Sequence, residues 1–202
     1  MRNRNLISLT LVLLLLGGCA SNPPAQLNNI CAIFSERPAW YEASKDSLDR
    51  WGVPIHIQMA IIYQESRFNA DAKPDRVRFL GIPLYRRSSA YGYAQVKDGT
   101  WDHYIDKTGN RGADRDDFED AVDFIGWYGA LASRTLGISK WNAYQQYLAY
   151  HEGHGGYKRK TYNKKPWLKS VARKLEIRAK RYSEQLWGCR ERLDSGSWWW
   201  PF

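Results

Sequence analysis

Pro54-Ile55-His56-Ile57-Gln58-Met59-Ala60-Ile61-Ile62-Tyr63-Gln64-Glu65-Ser66 is a short segment, apolar nearly all round, that ends in a carboxylate. Ile55, Met59 and Ile62 fall on one helical stripe, and Ile57, Ala60 and Ile61 widen it, so the spacing predicts a helix buried on most sides with Pro54 at its first position. Glu65 then lies over Ile61 and Ile62, where apolar surface meets a cleft, and desolvation there favours the neutral acid. A carboxylic acid held protonated near neutral pH is what a glycosidic leaving group requires. The competing reading is a solvated carboxylate at a helix end.

Two further stretches carry chemistry. In Tyr91-Gly92-Tyr93-Ala94-Gln95-Val96, Gly92 permits a backbone turn or the close approach of a ligand. Ala149-Tyr150-His151-Glu152-Gly153 closes a later helical pattern. His151 and His154 invite a zinc reading, but a metalloprotease helix places its histidines four apart and Gly153 interrupts this pair. No metal or cofactor is expected.

The elements that must position these groups are mostly helical. Pro38 opens a helix with Trp40, Ala43, Leu48 and Trp51 on one side, stopped by Gly52. Residues 67–90 break the helical pattern as a hairpin-like insertion whose Pro83 argues for an edge. Asp98 or Thr100 caps a short helix with Trp101, Tyr104 and Ile105, closed by Gly109. A longer helix runs from about Asp117 to Thr135, with Phe118, Ala121, Val122, Ile125, Tyr128 and Ala132 inward and Gly137 as its stop. Ser139 is expected to cap the next, in which Trp141, Tyr144, Tyr147 and Leu148 pack. Residues 154–165 read as a basic, Gly-rich loop. From Pro166 a final helix carries Leu168, Val171, Leu175, Ala179, Tyr182 and Leu186 in one stripe. Between Lys158 and Arg181 eleven Lys or Arg face a single acid, Glu176, which is ordinarily a solvated face.

The ends of the chain set its compartment. Arg2 and Arg4 precede an apolar run from Leu6 to Leu16 that is too short to cross a bilayer, which reads as a signal peptide over residues 1–18. Leu16-Gly17-Gly18-Cys19 resembles the lipobox of bacterial lipoproteins. That resemblance implies cleavage before Cys19 and its lipidation, and Ala20 in place of Asp favours the outer membrane, with the protein on its periplasmic side. Residues 19–37 are expected to be a tether, residues 38–190 one domain, and residues 191–202 a tail ending Trp198-Trp199-Trp200-Pro201-Phe202 that docks back on the domain or meets glycan or membrane. In an oxidising compartment Cys31 and Cys189 are candidates for a disulfide, two buried thiols being the alternative. The formal charge of +9 falls to +7 once Arg2 and Arg4 leave. For an exported chain this points away from nucleic acid and towards the carboxylates of cell-wall peptidoglycan. A monomer is expected.

Glu65-Ser66, Gly92-Tyr93-Ala94-Gln95 and Ala149-Tyr150-His151-Glu152-Gly153, in that order on a helical background, resemble the soluble lytic transglycosylase family. The resemblance spans roughly residues 50–185. It implies a mainly α, lysozyme-like helical domain with a small hairpin-like insertion between residues 67 and 90. It also implies that Glu65 is the single catalytic acid, with Tyr150 donating a hydrogen bond to its carboxyl. Ser66 would help hold the site, and Gln95 with the backbone of Gly92, Tyr93 and Ala94 would line the substrate groove. His151 stands where the family pattern has Asn, and the long 67–90 insertion departs from it too, which bears on the glycan contacts. The reaction implied is cleavage of the MurNAc–GlcNAc bond of peptidoglycan with closure of a 1,6-anhydro ring. The alternatives are a hydrolytic muramidase, which needs a second carboxylate such as Asp71, Asp75, Asp98 or Asp102, and a non-catalytic peptidoglycan-binding lipoprotein.

Overall fold

The structure is a computed structural model and describes residues 22–196. The expected signal peptide, Cys19 and the Trp198–Phe202 tail lie outside the described residues. Helices dominate: α1 (Ile30–Glu36), α2 (Pro38–Trp51), α3 (Ile55–Ser66), α4 (Asp98–Thr108), α5 (Phe118–Leu136), α6 (Ala143–Lys158), a 3-10 turn (Thr161–Lys164) and α7 (Pro166–Asp194). Strands β1 (Arg76–Phe79) and β2 (Ile82–Arg86) form an antiparallel pair between α3 and α4. This is the mainly α, lysozyme-like architecture with a hairpin insertion.

α3 is the axis of the core. Ile55, Ile57, Met59, Ala60, Ile61 and Ile62 are buried together with Gln58, so the helix has little solvent face to show a period. It packs against α7, α5 and α2. Pro54 stands just outside it as an extended N-cap residue rather than in its first turn, and the buried Gln58 donates to the Val53 carbonyl at 2.8 Å. α2 lies along α5, where Gly126 leaves room for Ser47 and Trp51 from the facing helix; Ser47 Oγ donates to the Val122 carbonyl at 3.0 Å.

Four sequence expectations are corrected here. The fold begins before Pro38: Ile30, Ile33 and Phe34 of α1 are fully buried against α7, so most of the expected tether belongs to the domain. The run Ile30-Cys31-Ala32-Ile33-Phe34 that follows the polar stretch 21–29 is apolar throughout, which is the local signal for this helix. At the other end α7 continues to Asp194 with Leu193 buried, past the expected boundary at residue 190. α6 is capped by Asn142, which accepts from the Gln145 N–H, and this leaves Trp141 outside the helix and 70% exposed. Residues 154–165 are not a loop but the end of α6 and a 3-10 turn, with a kink at Gly153.

Cys31 on α1 and Cys189 on α7 are bonded. The same two helices are joined by the Gln185 side chain, which accepts from the Ile30 N–H and donates to the Asn28 carbonyl, and by the Tyr182 hydroxyl on the Leu27 carbonyl. Asp194 adds contacts to α2, accepting from the Tyr41 hydroxyl at 2.8 Å and from Lys45 Nζ at 3.0 Å. The disulfide closes a loop with a sequence separation of 158 residues. A Cys31→Ser/Cys189→Ser chain is therefore expected to lose about 2–5 kcal/mol of unfolding free energy, read from urea titrations against the parent.

Candidate active site

Glu65 stands in the last turn of α3 and ends in a groove of about 380 Å³. α3 is stopped by two successive residues in the left-handed region, Arg67 (φ 53°) and Phe68 (φ 61°), neither of them glycine. Each costs about 1–2 kcal/mol. The burial of Phe68 against Trp40 and Tyr63 holds this turn in place, so the chain leaves the helix abruptly and the carboxyl stays at the groove wall.

The opposite walls come from α5 and α6. Phe124 and Tyr128 of α5 and Tyr150, His151, Glu152 and Gly153 of α6 line the groove, with Ala90, Gln95, Val96, Lys97 and Thr100 closing the third side. Tyr128 meets Tyr150 edge-on at 5.6 Å between ring centroids and stacks on His154 at 4.2 Å. Apolar and aromatic surface thus surrounds the carboxyl. Glu65 as a residue is half-buried, but its Oε1 is sealed from solvent without a hydrogen-bond partner. Desolvation pushes its pKa up to about 7, against the opposing effect of the nearby Tyr147 hydroxyl. The negative end of the α3 dipole acts in the same direction as desolvation.

The tyrosine assignments therefore differ from the expectation. The Tyr150 hydroxyl donates to the Ala94 carbonyl at 2.5 Å and ties α6 to the Tyr91–Val96 turn. Tyr147, three residues earlier on the same helical face, addresses the Glu65 carboxyl. Burial and the Glu65 charge push both phenols upward, so both stay protonated donors. The sequence stretch contained Tyr147, but its apolar spacing read only as packing.

The other expected residues divide. Gln95 and His151 line the groove. Ser66 does not: it is buried and its hydroxyl turns back on the Ile62 carbonyl at 3.2 Å. Gly92, Tyr93 and Ala94 are buried behind the wall rather than in it. Tyr93 packs among Trp40 and Phe118, and a Cβ on Gly92 would fall 1.9 Å from the Arg115 carbonyl oxygen. The close approach that requires glycine is to the protein's own backbone. Gln95 Nε2 reinforces the same turn by donating to the carbonyls of Ala72 at 2.7 Å and Gly92 at 3.0 Å.

One lining carboxylate accompanies Glu65. The Glu152 side chain is only 2% exposed and receives Lys165 Nζ at 2.7 Å, the Thr161 hydroxyl, and a contact from His151 Nδ1 at 3.2 Å. Burial raises its pKa, but the hydrogen bonds from Lys165, Thr161 and His151 outweigh burial and keep it ionised. Glu152 anchors the kink at Gly153, whose φ 71°, ψ 158° is open essentially to glycine alone. Asp98 is paired with Arg115 at 2.7 Å and Asp71 meets the Tyr91 hydroxyl; neither they nor Asp75 and Asp102 line the groove. Among the described residues no group of three or more His, Cys, Asp or Glu is placed to hold a metal ion.

A buried helix that ends in a desolvated acid at an aromatic-walled groove gives the chain the layout of a lysozyme-like domain. The sequence matches the Transglycosylase SLT domain family over residues 7–189, and the chain belongs to that family. Searches of curated proteins and of solved structures gave no match. Membership brings with it a lytic transglycosylase type of function acting on peptidoglycan.

Two outcomes test this geometry. Because the folded pKa of Glu65 lies above its ordinary value of 4.5, its ionisation penalises the fold, with no effect below pH 4.5 and the full effect above about pH 7. Glu65→Gln is therefore expected to be the more stable chain at pH 8 by on the order of 3 kcal/mol, and to lose that advantage at pH 4, in paired thermal melts. Gly92→Ala is expected to lower unfolding free energy by at least roughly 2 kcal/mol, since the Arg115 backbone must move.

Proposed function

We propose that the chain is a lytic murein transglycosylase in which Glu65 is the single general acid and base. The observation that carries this is the Glu65 carboxyl, its Oε1 sealed from solvent and its pKa raised to about 7, at the end of the one groove wall that α3 supplies. Protonated Glu65 gives its proton to the oxygen between N-acetylmuramic acid and N-acetylglucosamine as the C1–O bond breaks. The substrate's own N-acetyl oxygen supports the cationic C1, and the Tyr147 hydroxyl supports the carboxylate just formed. Glu65 then takes the proton of the C6 hydroxyl, whose oxygen closes on C1. No water is consumed and the acid is restored.

A muramidase of the two-carboxylate kind needs a second, free carboxylate to activate water or attack C1. Glu152 is the second carboxylate of the groove, and Lys165, Thr161 and His151 occupy its oxygens. This favours the anhydro product over the hydrated one. The basic α7 face adds positive charge that attracts carboxylate-bearing stem peptides. In the same proposal residues 1–18 direct export and Cys19 carries acyl chains that hold the enzyme to the outer membrane; palmitate labelling that disappears in Cys19→Ala checks the anchor.

Digestion of purified sacculi followed by mass spectrometry is expected to release muropeptides lighter by one water at the muramyl end. Glu65→Gln should lower their release by at least roughly 100-fold. Hydrated reducing ends would assign a hydrolase instead, and retained release in Glu65→Gln would remove Glu65 from the mechanism. The value of kcat/KM should fall as pH rises through about 7, when the acid is lost. In Tyr147→Phe that fall should move to higher pH, since the carboxylate loses the hydroxyl that lowers its pKa.

A further inference from the structure

The hairpin of β1 and β2 has features that neither its own stability nor the groove accounts for. All of residues 78–87 are exposed, and Phe79, Leu80, Ile82, Leu84 and Tyr85 are each more than half so. A two-stranded hairpin with no face on a core is marginal in water. Its tip is a two-residue turn in which both Leu80 (φ 50°) and Gly81 (φ 83°) are left-handed, positions where Asn, Asp or Gly is preferred. Leu80 is thus disfavoured twice: by its backbone conformation, and by an 87% exposed apolar side chain. Nothing inside the domain compensates for it.

The distribution of chemistry narrows what could. Alternation puts Ile82 and Leu84 on one face of β2 and Pro83 and Tyr85 on the other, and Phe79 pairs with Ile82. Both faces of the ribbon thus expose apolar side chains, the second beside Arg78, whereas a folded partner covers one face. Pro83 removes a backbone donor from β2 and so weakens it as an edge for strand addition. Arg78 stands across from Pro83 at the flank of the tip and Arg76, Arg86 and Arg87 stand behind it, with no acid anywhere in residues 76–87. Arg76 is paired directly across from Arg86, a like-charge juxtaposition that an anionic environment relieves. An apolar wedge on a guanidinium collar fits a medium that is apolar inside and anionic at its surface.

We propose that the Phe79–Tyr85 tip inserts into the headgroup boundary of an anionic lipid leaflet, with Arg76, Arg78, Arg86 and Arg87 at the phosphates. Insertion by about 5–10 Å immerses both apolar faces. The base of the hairpin is bound to the groove through the Ala72 carbonyl, which accepts from Gln95 Nε2 and the Gly92 N–H. A docked tip therefore fixes the orientation of the groove to the bilayer. This contact is separate from the acyl anchor proposed at Cys19.

The test uses residues 20–202, which hold the whole described fold and no acylation site, so it is independent of the anchoring and catalytic readings. Binding is measured by co-sedimentation with equimolar phosphatidylglycerol–phosphatidylcholine vesicles and with phosphatidylcholine vesicles. The parent is expected to bind the anionic vesicles roughly tenfold or more tightly than the neutral ones, and less tightly as salt rises. Leu80→Asp/Leu84→Asp should bind at least roughly tenfold more weakly with an unchanged thermal melt. Because Cys31 and Cys189 are bonded, Leu80→Cys supplies a lone thiol for an environment-sensitive fluorophore, which should shift to the blue on anionic vesicles. No association of the parent overturns the proposal. So does equal binding by the double Asp chain, or sedimentation without a fluorophore shift, either of which would place the lipid contact on the basic α7 face or the Trp198–Phe202 segment.

Discussion

Desolvation of one carboxyl, at the end of a helix with almost no solvent face, is the constraint that the rest of this structure serves. α3 is enclosed by α2, α5 and α7, and the aromatic walls of the groove come from α5 and α6. The aromatic walls keep water from much of the Glu65 carboxyl. An ionised carboxylate in that setting is costly, and the fold accepts this cost because a proton is retained near neutral pH. The strained exit at Arg67 and Phe68 belongs to the same arrangement: the helix must stop where the carboxyl reaches the groove, and the burial of Phe68 makes the turn persist.

The enclosing helices are themselves held by contacts far apart in sequence. α1 and α7 are joined by the Cys31–Cys189 bond and by the Gln185 and Tyr182 hydrogen bonds, and α7 is the long strut on which α3 and α6 both rest. Glu152 does comparable work at short range. Paired with Lys165 and Thr161, it joins α6 to the start of α7 and holds the Gly153 kink, so the tyrosines of α6 meet the groove at a fixed angle. Two carboxylates in one groove thus have opposite fates. Glu65 has no cation and holds its proton up to about pH 7; Glu152 has a lysine and stays charged.

The hairpin contrasts with this economy, since it buries little and exposes apolar residues around a cluster of arginines. Its base is nonetheless part of the site's scaffold through Ala72, Gly92 and Gln95. A surface feature and the groove therefore share one set of backbone hydrogen bonds, which is how contact at the tip bears on the direction from which a glycan strand enters.

The sequence by itself determined the helical course, because helix stops such as Gly52, Gly109 and Gly137 and the stripes of α5 and α7 are local signals. It also determined that Glu65 would sit where burial raises its pKa, since an all-apolar turn beneath a carboxylate has few other places to go. What the tertiary structure decided was which groups meet. Tyr147 rather than Tyr150 addresses Glu65, Ser66 and Gly92–Ala94 turn inward, Glu152 is neutralised by Lys165, and Ile30, Ile33 and Phe34 extend the domain upstream of Pro38. Helix and turn signals act over one or two turns of chain. A hydroxyl's choice between a carboxyl and a carbonyl is made by helix rotation and packing, to which residues more than a hundred positions apart contribute.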